Sequence, residues 1–263
     1  MNDQVVGSLA RDWRDAGIQQ GDLVLVHSSL RRTVRRCAQG DMSGAVGDIL
    51  ASFQEAVGKD GTLLFPLFNF QFTEGVAFDI RSTPSQMGAL SETARQLGGA
   101  VRTGHPIYSF AVIGALAGEF ASIDNYSGYG GDSPFGRLRN LGGRIAILDL
   151  PDQHSMTFYH HVEEVKNVPY RYHKTFAGDY TDSSGVTARR EYGLFVRDLA
   201  KGIKTDVDPM GELLWEQSLY SGDRPGEGSG LRVIDADRLF AAVERVIDDG
   251  RAEGLLYSID DDR

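Results

Sequence analysis

Asp22-Leu-Val-Leu-Val-His27-Ser28-Ser29-Leu30 decides how this chain folds. Its apolar residues run without alternation, the pattern of a short strand buried on both faces, and such strands sit in sheets covered by helices on both sides. The run stops abruptly at a histidine and two serines. Junctions of this kind, at the carboxyl ends of parallel strands, are where ligands bind in α/β sheets. Backbone amides and the two hydroxyls there can hold a pyrophosphate, aided by the arginines that follow, and a plain capping turn reads the same.

Helical and strand-like pieces alternate on either side of this run. Val5 to Ala16 reads as a helix stopped by Gly17, and Ser43 to Val57 as a second. Thr62 to Pro66 is a strand after the turn Lys59-Asp60-Gly61. Leu67 to Ser85 has no period and reads as a long loop, a length usually kept for function. Met87 to Leu97 and Ala115 to Ser122 are helical, with Ser109 to Gly114 a strand between them. Arg144 to Asp149 is another buried strand. Beyond Pro169, Tyr170 to Tyr180 and Ala188 to Leu199 flank the turn Asp182-Ser-Ser-Gly185 and read as an antiparallel hairpin. Asp208 to Leu219 and Ala236 to Asp249 are helices, and Leu255 to Ile259 a closing strand. The expected fold is a layered α/β/α sandwich around a mixed central sheet, with antiparallel strands in the C-terminal part. No linker divides it, so residues 1–263 are expected to form a single domain.

The formal charge of −10 argues against a general nucleic-acid binder, since basic residues cluster only in Arg31-Arg32-Thr-Val-Arg35-Arg36. Hydrophobic residues at 41% suffice for a substantial core. Cys37 is the only cysteine, which excludes an intrachain disulfide and fits a reducing compartment. No leader-like segment and no membrane-length apolar run occurs, so a cytoplasmic protein without a membrane partner is expected. The Walker pattern, Gly-x-Ser-x-Gly and His-Glu-x-x-His are absent, and His154 and His160 lie on different helix faces, so no metal is expected. Oligomeric state is not readable.

Chemistry concentrates in Ser155-Met-Thr-Phe-Tyr-His160-His161-Val-Glu163-Glu164. On a helix, His160 can meet Glu163 and His161 can meet Glu164, each pair being three residues apart. A histidine oriented by a carboxylate is a general base, suited to taking a proton from a primary ammonium, and the same spacing also describes a surface pair. Ser133-Pro134, after Gly130 and Gly131, marks a helix start with an approachable backbone. Cys37, beside Arg35 and Arg36, has a setting that lowers a thiol pKa and is the rival nucleophile.

Taken in order, Val26-His-Ser-Ser-Leu30, Gly61-Thr-Leu, Phe78-Asp79 with Thr83-Pro84-Ser85, Val101-Arg102, His105-Pro106, Ser109-Phe110, Ser133-Pro134 and Thr157 with His160-x-x-Glu163 resemble the aminoglycoside 3-N-acetyltransferase family, over roughly residues 20 to 172. The resemblance implies an acyltransferase that moves acetyl from acetyl-coenzyme A (acetyl-CoA) directly to a small-molecule primary amine. By position, His160 is the catalytic histidine and Glu163 its support, with His161 and Glu164 structural. His27, Ser28, Ser29 and Leu30 correspond to the segment holding the coenzyme phosphates, and Thr83, His105, Ser109, Phe110 and Ser133 to its groove. Asn69, Asp79 and Asp149 are the implied acceptor contacts, Asp149 replacing a glycine and able to extend the catalytic hydrogen-bond network. The C-terminal third departs from the antibiotic-modifying members. The expected acceptor is therefore an amino sugar, free or nucleotide-linked, of polysaccharide or natural-product biosynthesis, with Arg171, Lys174 or Arg197 near it. The alternatives are an aminoglycoside, giving antibiotic resistance, and a catalytically silent coenzyme A-binding module.

Overall fold

The computed structural model describes residues 2–37 and 42–259. Helix α1 (Asp3–Asp15) is capped by Asn2, whose side chain accepts from the Val5 amide. It buries Val6, Leu9, Ala10 and Trp13, a stripe at helical spacing. Gly17, at φ 122, ends it in a conformation other residues avoid. Strand β1 (Leu23–Ser28) follows, buried along almost its whole length. The basic run becomes the short helix α2 (Arg31–Cys37), and α3 (Met42–Val57) leads to β2 (Thr62–Pro66).

The expected long loop has structure of its own: a 3-10 turn at Gln71–Glu74 and a two-residue strand, β3 (Phe78–Asp79). Next come α4 (Ala89–Gln96), β4 (Val101–Arg102), β5 (Phe110–Gly114), α5 (Ala117–Ala121), α6 (Pro134–Asn140), β6 (Arg144–Leu148) and α7 (Phe158–Val165). The hairpin is β7 (Arg171–Thr181) and β8 (Thr187–Arg197), followed by β9 (Ile203–Thr205), α8 (Asp208–Glu216), β10 (Ser221–Gly222), β11 (Leu231–Asp235), α9 (Ala236–Asp248) and β12 (Tyr257–Ile259).

The main sheet runs β10-β11-β6-β1-β2-β5-β4. Its centre is parallel, with β1 between β2 and β6, and its margins are antiparallel. One face packs Val24, Val26, Leu63, Phe65 and Ala146 against Trp13, Ile49 and Phe53. The other packs Leu25, Ile145 and Ile147 against Phe135, Phe158 and Phe240. This is the expected sandwich around a mixed sheet. Hairpin β7–β8 forms a separate three-stranded sheet with β3. The expected closing strand does not join the main sheet: β12 pairs with β9 instead. Among the described residues no helix is long and apolar enough to cross a membrane.

Candidate active site

Strand β6 leaves the sheet at Asp149, a non-glycine residue at φ 51, and a 3-10 turn over Asp152–His154 delivers the chain into α7. Two turns of helix are too few to stand alone in water, so tertiary contacts must hold α7. Asp152, itself buried, receives the Tyr159 hydroxyl at 2.5 Å, the Tyr220 hydroxyl at 2.8 Å and Arg232 Nη2 at 2.7 Å. Tyr159 is thereby fixed beside His160.

On the shoulder of α7, His160 Nδ1 lies 2.7 Å from Glu163 Oε2, so this expected pair forms. The second does not: His161 Nδ1 turns to the Tyr129 carbonyl at 2.7 Å, and Glu164 accepts from Ser127 Oγ at 2.8 Å. Burial of α7 between loop and core draws each of these side chains to a nearer partner. Glu163 is almost fully buried, yet its carboxyl is held below the usual range: burial pushes it up, and Arg171 with the His160 hydrogen bond outweighs that. His160 is lowered, first by burial and then by the Arg171 charge. Both shifts favour a carboxylate beside a neutral imidazole.

The histidine opens onto a cleft of about 480 Å³. Phe70, Tyr108 and Tyr129 line it from the sandwich, and Arg171, Tyr172, Lys174, Phe176, Leu194, Phe195, Val196 and Arg197 from the hairpin. Tyr129 meets the His160 ring edge-on at 5.3 Å and Tyr108 at 4.7 Å, so rigid aromatic surface reaches the imidazole.

The remaining expected residues divide by how much of their bonding capacity is spent. Ser28, Ser29 and Leu30 end β1 half-buried, and the two serine hydroxyls bond to no described residue. His27 is buried, its Nε2 has no partner, and burial together with Arg232 pushes its pKa down to about 3. His105 is fully committed: Nδ1 accepts from the Ile107 and Tyr108 amides and Nε2 faces the Gly193 carbonyl, with burial pushing its pKa down to about 4. Ser109 Oγ accepts from Arg102, Phe110 lies in the core, Ser133 caps α6 and Thr83 Oγ1 accepts from the Asp79 amide.

Asn69 spans Pro84 O and the Gln71 amide, and Asp79, drawn down to about 2 by its bonds to Arg81, lies beside that arginine. The Asp149 carboxylate is bound to Arg32 Nε at 3.1 Å and the Gly226 amide at 2.9 Å. It does not extend the His160–Glu163 network, a correction that follows from the positive-φ turn, which carries the side chain toward α2. Cys37 is outside the cleft lining, and burial pushes its thiol up. Among the described residues no three His, Cys, Asp or Glu side chains gather in a metal-holding group.

Two contributions escape the sequence reading. Tyr129 sits in a glycine-rich turn with no period to betray its inward face. Arg171, expected near an acceptor, lines the cleft and is also wired to the dyad: Nε lies 2.8 Å from Glu163 Oε2 and Nη2 2.8 Å from His160 Nδ1. Its place two residues after Pro169, at a strand start, was the available signal.

Such a site defines a class: an α/β sandwich in which a histidine paired with a buried carboxylate, just beyond the carboxyl end of a strand in the mixed sheet, faces an open cleft. Within that class the chain belongs to the aminoglycoside 3-N-acetyltransferase family, whose model matches residues 25–248. It is 30% identical over 181 residues to aminoglycoside N(3)-acetyltransferase VII of Streptomyces paromomycinus, covering 61% of this chain and 60% of that protein. The match to aminoglycoside N(3)-acetyltransferase VIII of Streptomyces fradiae is 30% identical over 183 residues, covering 62% of each. The sequence matches thus span about three fifths of these relatives' length. The solved structure of AAC-IIIb in a binary complex with CoASH shares the fold, with a TM-score of 0.79 at 23% identity over 93% of this chain and 96% of that one.

Proposed function

We propose that the chain is an acetyl-CoA-dependent N-acetyltransferase acting on a primary amine of an aminoglycoside-type amino sugar. The observation that carries this is the His160–Glu163 contact of 2.7 Å at the cleft. With Nδ1–H donating to Glu163, Nε2 carries the free lone pair and is the nitrogen left to serve the cleft. It takes a proton from the acceptor ammonium, and the freed amine attacks the thioester carbonyl. The C–N bond forms, the C–S bond breaks, the proton held by His160 passes to the departing thiolate, and the second proton shed by the acylated nitrogen goes to solvent water. Positioning of two substrates supplies most of the acceleration, with the base adding on the order of 10²–10⁴.

Donor phosphates would rest at the Ser28-Ser29-Leu30 turn, whose hydroxyls are uncommitted. Thr83, His105, Ser109, Phe110 and Ser133, bonded or packed within the protein, would shape the groove rather than grip the donor. Asn69, Asp79 and Asp149 are bonded within the protein and outside the cleft lining, so as proposed acceptor contacts they rank below the residues that line it. The names of the relatives and the CoASH held by the structural neighbour support the reading, which takes the chain as one cytoplasmic domain.

One observation favours a second acceptor. Arg171, Lys174 and Arg197 line the cleft, and among its described lining residues there is no carboxylate. A polycationic antibiotic favours acidic walls, and a nucleotide-linked amino sugar favours basic ones. Thiol release from acetyl-CoA should be screened against aminoglycosides, free amino sugars and nucleotide-linked amino sugars. Turnover of aminoglycosides supports the first reading and preference for nucleotide-linked sugars the second. Tight coenzyme binding with no amine acetylated would overturn both in favour of a silent binding module.

A further inference from the structure

We propose that Arg171 is a positioning residue for the base: by sharing Glu163 with His160 it keeps the imidazole unprotonated near neutral pH and ties that state to the seating of the hairpin. The inference rests on His160 as the base. Glu163 Oε2 has two suitors, His160 Nδ1 at 2.7 Å and Arg171 Nε at 2.8 Å, while Arg171 Nη2 approaches the same Nδ1 at 2.8 Å. A buried carboxylate raises the proton affinity of a histidine beside it, so Glu163 on its own would move the imidazole toward its protonated form, which cannot act as a base. A guanidinium cannot lose its proton, so Arg171 supplies the compensating charge permanently. A second positive charge on His160 would then face a cation across 2.8 Å in a largely buried site.

The third arm of the guanidinium fixes the arrangement. Arg171 Nη1 donates to Phe195 O at 3.0 Å, so the arginine is held by β8 as well as by α7. Charged and titratable groups meet His160 from every side. Glu163 comes from its own helix, Arg171 from β7, Arg197 from β8 and the Tyr129 ring from the loop before α6. Of these only Glu163 favours protonation, and two arginines oppose it.

The test is the pH dependence of kcat/KM, together with an NMR titration of the His160 imidazole that needs no turnover. In R171Q the ring's titration and the acid limb of the rate should both move up by about one pH unit or more, a tenfold loss of the neutral form at a fixed pH below the limb. Activity should recover at alkaline pH. R171K, which keeps the charge, should restore much of the shift. Should R171Q fail to fold, E163Q carries the test in the opposite direction, since the unopposed arginine then moves the titration down. An unmoved titration in a folded R171Q or E163Q, with activity lost equally at every pH, would overturn the proposal. A titration that moves as expected in a protein acetylating no amine would sink the base assignment alone.

Discussion

A histidine can take a proton from an ammonium only while it is itself unprotonated, so at the residue scale the burial of His160 and the nearby arginine charge both favour the state that the proposed base requires. His160→Ala should lower turnover by about 10²–10⁴ while coenzyme binding, read by calorimetry, persists. Near-normal turnover in that variant would refute the assignment. His27 and His105 carry a separate prediction. Both are buried neutral, with folded-state pKa values of about 3 and about 4 against the usual 6.5. The unfolded chain protonates them as pH falls through 6.5, and the folded chain does not until far lower. Unfolding therefore takes up protons, and stability drops with acidification by about 2 kcal/mol per histidine between pH 7 and 5. Urea midpoints across that range measure it, and a flat profile in the wild type would exclude it. The dyad was legible in the sequence because i, i+3 spacing is local. The third partner was not, because Arg171 lies beyond a turn and nothing in a strand-start residue says which way it reaches.

At the element scale, α7 depends on what holds Tyr159. The buried Asp152–Arg232 pair, at 2.7 Å, is the anchor. Arg232→Met should cost about 3–5 kcal/mol by stranding a buried carboxylate, measurable by chemical denaturation. A loss below 1 kcal/mol would show that the two tyrosines alone satisfy Asp152. Helix α8 must also make room: a Cβ on Gly211 would come 2.6 Å from Asp152 Cγ. The same arginine explains a strand the sequence reading missed. Leu231-Arg-Val-Ile-Asp235 has a charge in its second position and so resembles no buried strand, yet Arg232 is neutralised by Asp152 and β11 pairs with β6 along its length. By contrast β1, β2 and β6 were plain, because an uninterrupted apolar run has few other places to go. The short β4 and β10 were illegible because two residues carry no period.

Across the whole molecule, the main sheet separates a scaffold face from a working face. Phe53 stacks on Trp13 at 4.9 Å on the first, and Phe135 meets Phe110 at 5.1 Å and Tyr129 at 6.4 Å on the second. Both rings are fully buried, so either Phe→Ala change should cost about 3–5 kcal/mol. Only Phe135→Ala should also alter KM and kcat, measured where both variants remain folded, since only it undercuts Tyr129. Equal kinetic damage from Phe53→Ala would mean the faces are not independent. The hairpin's provision of half the cleft also bears on the order in which the protein assembles. His160 and Arg171 are only eleven residues apart, whereas Phe70, Tyr108 and Arg197 must be gathered from distant segments. Closing the short loop costs little entropy and gathering the walls costs more, so during refolding the base should find its partners early, while enzymatic competence returns only with the last and slowest phase.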